Sequence, residues 1–290
     1  MKNILAWVII QGLLRPLQWL PLALIHKAGY GLGSMIAKLP SRKHHIIERN
    51  LSVVYPNVEV KEIQALKKHA IQSTACFALE AGLVWHGSRA RIDRAIIKVN
   101  GAELVERAQQ ASKGVLLVAA HLGNWEILNL YLMKHFGLCG LYRAPKSPTI
   151  DAWVRKTRQR FGGELVPSGS LAMRRLIKTL KNGQVAGIIA DQQPKLGEGV
   201  MAPFLGQPAM TMTLVARLAQ RTNCQVLMAS CYRATGKGFV IDIKPIDDSI
   251  KETDPLVAAT VLNQAIGEAI GQHPEQYLWR YRRFEDQVYR

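Results

Sequence analysis

Apolar positions along the chain change their spacing in an order that predicts elements before any chemistry is considered. From residue 59 to 86, through "IQALKKHAIQSTACFALEAGLVWH", they recur every three or four residues, the period of a helix. "GVLLVAA" (114–120) is a continuous apolar run of strand length, and "NWEILNLYLMKHF" behind it is helical. The alternation continues with strand "GLCGLYR", helix "TIDAWVRKTRQRFG" and short strand "ELVP". Helix "SLAMRRLIKTLKNG" follows, with Gly183 just past its end as a stop signal. Strand "VAGIIAD" and helix "MTMTLVARLAQRTN" come next. "QVLMASCYR" and "FVIDIKP" read as neighbouring strands, and residues 255–281 as a helical close.

Strands alternating with helices predict an α/β fold: a mostly parallel central sheet flanked by helices, with the helix-rich first hundred residues packed beside it. No linker rich in Pro, Gly or Ser divides the chain, and no fixed-period repeat suggests a solenoid. The division expected is an apolar N-terminal membrane-associated segment over 1–40 and a single domain over 41–290.

That first segment, "ILAWVIIQGLLRPLQWLPLALIHKAGYGLGSMIAKLP", is strongly apolar but is interrupted by Arg15 and Pro16. The run before Arg15 falls short of the ~20 apolar residues of a membrane span. No small-residue cleavage site follows it, as a secretory signal would require. An uncleaved anchor, a helix lying in the interface and a core helix all remain open. Trp7 and Trp19 suit an interfacial belt, and Arg15 can snorkel to headgroups.

Charge sharpens the picture. Lys and Arg number 38 against 21 Asp and Glu, a formal +17 over 290 residues, which favours polyanionic partners. Nucleic acid is not expected, because no zinc-finger, RNA-recognition or basic-zipper pattern occurs and the basic residues are scattered along amphipathic segments. Cys76, Cys139, Cys224 and Cys231 lack C-x-x-C spacing, so buried free thiols are expected rather than a metal cluster or disulfide framework.

The chemistry concentrates at "AAHLGNWEI" (119–127). Functional groups of open α/β sheets gather at the carboxyl ends of strands, where His121 would stand. Glu126 falls in the first turn of the next helix, and reversal through Leu122-Gly123 would return its carboxylate to the imidazole. It would then fix the tautomer of His121 and leave the other ring nitrogen to take a proton from a hydroxyl. The competing reading is a satisfied polar histidine, with a glutamate favoured by the helix dipole. No G-x-S-x-G elbow, P-loop or dinucleotide fingerprint is present. Asp191 closes another apolar run, placed either to bind Arg158 or Arg160 or to begin a turn. Arg143 follows a strand and is a candidate phosphate contact or a surface charge.

"AAHLGNWEI" resembles the H-x4-D/E motif of glycerolipid-type acyltransferases, and more closely that of the lipid A late acyltransferase family of bacterial inner membranes. The resemblance runs over nearly the full length. "IIERNLSVVYPN", "LYRAPKSPTIDAWVRKTRQRFGGELVP", "GIIADQQP", "PFLGQPAMTMTLVARLAQRTNCQVL" and "QYLWRYRRFED" are similar, in order, to the family's other blocks. It implies transfer of a fatty acyl chain from an acyl carrier protein thioester, without a cofactor, to a hydroxyl of a lipid A precursor. His121 would be the general base and Glu126 its partner. Arg158 or Arg160 would match the family's functional arginine, as oxyanion or substrate contact, and Asp191 its acidic strand-end residue. The partners implied are an acyl carrier protein, a lipid A precursor and an anionic membrane surface, at the cytoplasmic face of a bacterial inner membrane. "YLWRYRRF", with Arg280, Arg282 and Arg283, has the composition of an interfacial anchor or of an ordinary amphipathic terminal helix. Two alternatives stand beside this reading. One is an acyltransferase for another glycolipid or a lysophospholipid; the other is a non-catalytic, membrane-associated lipid-binding protein.

Overall fold

The computed structural model describes residues 11–289. After a short 3-10 turn at Arg15–Trp19 come three helices: α1 (Leu22–Ala37), α2 (Arg42–Val54) and the long α3 (Val60–His86). The helical spacing read over 59–86 is realised as one uninterrupted helix, and α1 packs along it. Next come α4 (Arg89–Ala95), β1 (Ile96–Asn100), α5 (Ala102–Gln110), β2 (Val115–Ala119), α6 (Trp125–Phe136) and β3 (Cys139–Tyr142). They are followed by α7 (Pro148–Arg158), β4 (Glu164–Pro167), α8 (Ser170–Lys181) and β5 (Val185–Ile189). The chain closes with hairpin β6 (Gly199–Phe204) and β7 (Gln207–Met212), then α9 (Leu214–Thr222), β8 (Gln225–Ala234), β9 (Gly238–Pro245) and α10 (Pro255–Gln272).

Seven strands form one sheet in the order β1-β9-β8-β2-β5-β3-β4. Every pairing is parallel except β8 with β9, so the architecture is the mostly parallel, helix-flanked sheet expected. β2 and β5 lie at its centre, and their near-continuous apolar sequences follow from burial on both faces. Side chains alternate across β2. Leu116 and Val118 enter a core with Leu176, Leu218 and Leu262, whereas Val115 and Leu117 enter one with Leu128, Leu132 and Met133 of α6. The four cysteines are buried and free.

Three expectations are corrected. Residues 210–212, expected to start a helix, instead end the second strand of a hairpin, and the helix begins only at Leu214. The turn at Leu205 and Gly206 has both residues at positive φ, the conformation that joins tightly twisted strands. The terminal helix stops at Gln272, ahead of Pro274, and the segment beyond folds back as turns beneath the site. Arg283 is no surface anchor: it is 2% exposed, its guanidinium stacked over Phe204 and donating to the Thr211 hydroxyl.

Among the described residues no helix is long and apolar enough to cross a membrane. Residues 1–10 of the apolar N-terminal segment, Trp7 included, lie outside the described residues. Within α1, Ile25, His26, Gly29 and Gly33 are buried, while Leu24, Leu32 and Met35 are exposed on another face.

Candidate active site

His121 and Asp191 come together through strand register. Ala119 of β2 pairs with Ile189 of β5, and the amide of Ala190 donates to the carbonyl of Ala119. Two residues further along each chain, the carboxylate meets the imidazole: Asp191 Oδ1 lies 2.8 Å from His121 Nδ1, and Oδ2 accepts the His121 backbone N–H at 3.1 Å. Asp191 is 2% exposed. Burial alone would raise its pKa, but the facing imidazole and the N–H donors of His121 hold it below its ordinary value. In the neutral imidazole an acceptor at Nδ1 places the proton on that nitrogen and leaves the Nε2 lone pair open to accept one, the tautomer that general-base chemistry needs. Tyr277 sits beside the pair, its phenol pushed well above its ordinary value by burial and by the Asp191 charge.

The His121–Glu126 hydrogen bond expected from the sequence is not formed. Helix α6 begins at Trp125, so Glu126 projects from its first turn toward α7 rather than back along the chain. There it meets Arg158 in a bidentate pair: Nε donates to Oε2 at 2.9 Å and Nη2 to Oε1. Burial would lower the Arg158 pKa, yet the Glu126 carboxylate raises it, so the guanidinium stays charged. Asp191 binds neither Arg158 nor Arg160. Arg160 turns away, donating to the carbonyls of Thr157, Val84 and Gly87 and covering the Phe161 ring, so it caps the carboxyl end of α3.

The two residues that begin and end the H-x4-E motif line one cavity of about 420 Å³, together with Arg158 and Arg143. Arg143 is exposed, as is Lys195, which also lines it. Leucines 117, 128, 132, 138 and 165 line the apolar part. Space for it arises where Gly140 of β3 and Gly187 of β5 pair side by side. A Cβ on Gly187 would stand 2.8 Å from Leu138 Cδ1. Trp125 forms a wall: it stacks on Phe77 at 4.0 Å between centroids and meets the His121 ring edge-on at 4.9 Å.

The reversal read at Leu122-Gly123 is present: Gly123 has φ +59°, and a Cβ there would lie 2.1 Å from the Cys231 carbonyl, so the turn requires glycine. Other residues that hold the site escaped sequence reasoning. The Asn124 side chain accepts the Ile127 N–H as the N-cap of α6, a signal legible in "NWEI". Its amide also donates to Glu80 at 2.8 Å. The carbonyl of His121 accepts from Leu278, and the amide of Gly123 donates to Gln276. Glu80 is a lone carboxylate in the apolar "CFALEAGLV", and that setting is the one signal of it in the sequence. Among the described residues no group of three His, Cys, Asp or Glu side chains is placed to hold a metal ion.

A family profile described as bacterial lipid A biosynthesis acyltransferase matches residues 1–286. Among curated relatives, the chain is 29% identical over 282 residues to the lipid A biosynthesis lauroyltransferase of Escherichia coli K12, covering 96% of this chain and 88% of that protein. It is 27% identical over 274 residues to the palmitoleoyltransferase of the same organism, covering 92% of this chain and 86% of that one. To the myristoyltransferase it is 22% identical over 244 residues, covering 82% and 73%.

Proposed function

Since the chain belongs to the bacterial lipid A biosynthesis acyltransferase family, we propose that it moves a fatty acyl chain from an acyl carrier protein thioester to a hydroxyl of a lipid A precursor. His121 serves as general base. The observation that carries this reading is the pairing of an Asp191-oriented imidazole with a charged Arg158 on one largely apolar cavity.

The acceptor hydroxyl gives its proton to His121 Nε2 as its oxygen attacks the thioester carbonyl. The C–O bond forms and the carbonyl becomes an oxyanion. Arg158, held by Glu126, supplies the positive charge that an oxyanion needs, a contribution of ~3 kcal/mol for one well-placed donor. Collapse breaks the C–S bond, and the imidazolium returns its proton to the departing thiolate. Asp191 stabilises that imidazolium without itself taking the proton. The leucine-lined part of the cavity accommodates the acyl chain, and the exposed Arg143 and Lys195 suit acceptor phosphate.

Membrane association rests on α1. Leu24, Leu32 and Met35, with Trp19 and Leu39 nearby, leave a band of apolar surface in water, and the net charge of +17 favours anionic headgroups and an acidic carrier protein. The cytoplasmic face of a bacterial inner membrane supplies both substrates.

The test compares the protein with His121→Ala, each given a mixture of acyl carrier protein thioesters and a lipid A precursor, read by mass spectrometry. A gain of one acyl chain that the variant fails to produce supports the reading. No gain from folded wild type, or acylation of lysophospholipid instead, overturns it.

A further inference from the structure

Beneath the catalytic turn lies an ion pair that the mechanism above does not use. Glu80 of α3 and Arg233 of β8 have fully buried side chains. Arg233 Nε donates to Glu80 Oε1, and Nη2 to Oε2 at 2.9 Å, while Nη1 reaches the Ser73 hydroxyl at 3.2 Å. His26 of α1 stands on the other side, its Nε2 3.0 Å from Glu80 Oε1 and its Nδ1 accepting the Gly236 N–H. A buried pair of this kind is weak evidence for stability, because well-packed apolar side chains often serve as well. What apolar side chains cannot provide is a fixed acceptor.

That acceptor is used once outside the ionic group, by Asn124 Nδ2 at 2.8 Å from Glu80 Oε2. The bond fixes the orientation of the Asn124 amide, which presents Oδ1 to the Ile127 N–H. Helix α6 starts from this cap, and Trp125 and Glu126 project from its first turn. Arg233 grips the same turn from a second side. Its backbone is bracketed by Gln276, whose side chain accepts the Arg233 N–H and donates to its carbonyl. The Gln276 carbonyl in turn accepts the Gly123 N–H at 3.0 Å. Two adjacent residues between His121 and Glu126 are thus tied to this group, Asn124 directly to the Glu80 carboxylate and Gly123 through Gln276 to the backbone of Arg233.

We propose that Glu80 and Arg233 are positioning residues: the pair anchors Asn124 and so sets where the Glu126–Arg158 arm stands relative to His121. Its kinetic consequence rests on the acyl-transfer reading; its structural consequence does not.

Asn124→Asp is the discriminating variant. The new carboxylate still caps Ile127, but it faces Glu80 with like charge where a donor had been. Turnover should fall at least ~10-fold, since misplacing reacting groups by about 1 Å can cost ~100-fold. KM for both substrates should stay within about twofold, as neither Glu80 nor Arg233 lines the cavity. Deuterium uptake over residues 121–128, followed by mass spectrometry, should accelerate. The exchange E80Q with N124D restores a donor–acceptor pair of reversed polarity and unchanged total charge. It should recover turnover and protection above the worse single variant. All variants are compared with wild type below their own unfolding temperatures.

Wild-type turnover and exchange in Asn124→Asp would overturn the proposal. So would a double variant no better than the worse single, whether or not both singles fold. Absence of turnover in wild type would sink the acyl-transfer reading alone, and the exchange measurements would still decide the anchor.

Discussion

Asp191→Asn separates the site as built from the site expected from spacing. Asparagine is nearly isosteric, so the buried position, 2% exposed, can be filled without a cavity. Its amide oxygen can still accept the His121 backbone N–H that Oδ2 now accepts at 3.1 Å. Its nitrogen then faces His121 Nδ1, where a carboxylate oxygen now stands 2.8 Å away. An NH2 in that place favours the imidazole with its proton on Nε2, which can no longer accept one from the acceptor hydroxyl. Removing the carboxylate also leaves the imidazolium of the transition state without its counter-charge. For a histidine base given the wrong tautomer in this way the loss in kcat is of order 10³–10⁴, or about 4–5 kcal/mol of barrier. KM should change little. Glu126→Gln instead weakens the grip on Arg158, and a displaced oxyanion donor costs about 10²-fold in kcat. The assay is acyl transfer from carrier-protein thioester under saturating acceptor, with both variants checked for cooperative unfolding. Glu126→Gln more damaging than Asp191→Asn, or Asp191→Asn above a tenth of wild-type kcat, would refute the assignment of Asp191 as the partner of His121.

The two arginines should part in their effects. Arg158→Gln should lower kcat by about 10²-fold, whereas Arg160→Gln should lower the unfolding temperature by freeing the carbonyls of Val84 and Gly87 while leaving kcat within a few-fold. Gly187→Ala pushes a methyl toward Leu138, so mass spectrometry of a mixed-thioester reaction should show shorter transferred chains, at a stability cost of about 1–3 kcal/mol. The Asp191 carboxyl has a folded pKa below its ordinary 3.8, so it contributes stability that is complete above that value and is lost as pH falls through the folded pKa. Denaturant titrations should therefore show the gap between wild type and Asp191→Asn narrowing below pH 3.8, and a gap that widens there would contradict the shift.

Elements were legible where one physical demand dominated. β2 and β5 are buried on both faces and show it as unbroken apolar runs, and α3 keeps one period for 27 residues. β1 escaped because it is an edge strand with Ile97 and Lys98 exposed, so its sequence carries no clean alternation. The end of β7, residues 210–212, was absorbed into a helix because "MTMTLVARLAQ" runs on into helical spacing, and the hairpin partner, not local preference, makes Gln207–Met212 extended. In the site, His121 was found from its place after a strand, whereas Glu80 and Arg233 lie far from it in sequence and join only through packing.

What the sequence by itself determined is the class of fold, the placing of His121 and Asp191 at strand ends, and the family that the ordered motifs resemble. These depend on local periodicity and on residue type. Only the tertiary structure decided which carboxylate orients the imidazole. Glu126 is five residues from His121 and Asp191 is seventy, so spacing favoured the wrong one. The register of two adjacent parallel strands brings Asp191 to Nδ1, and the start of α6 at Trp125 sends Glu126 toward Arg158. That Arg158 rather than Arg160 lines the cavity, and that Gly140 beside Gly187 leaves space in it, follow from packing in the same way. A hydrogen bond and a cavity depend on distances across the fold, and chain order does not encode those distances until strands pair and helices pack.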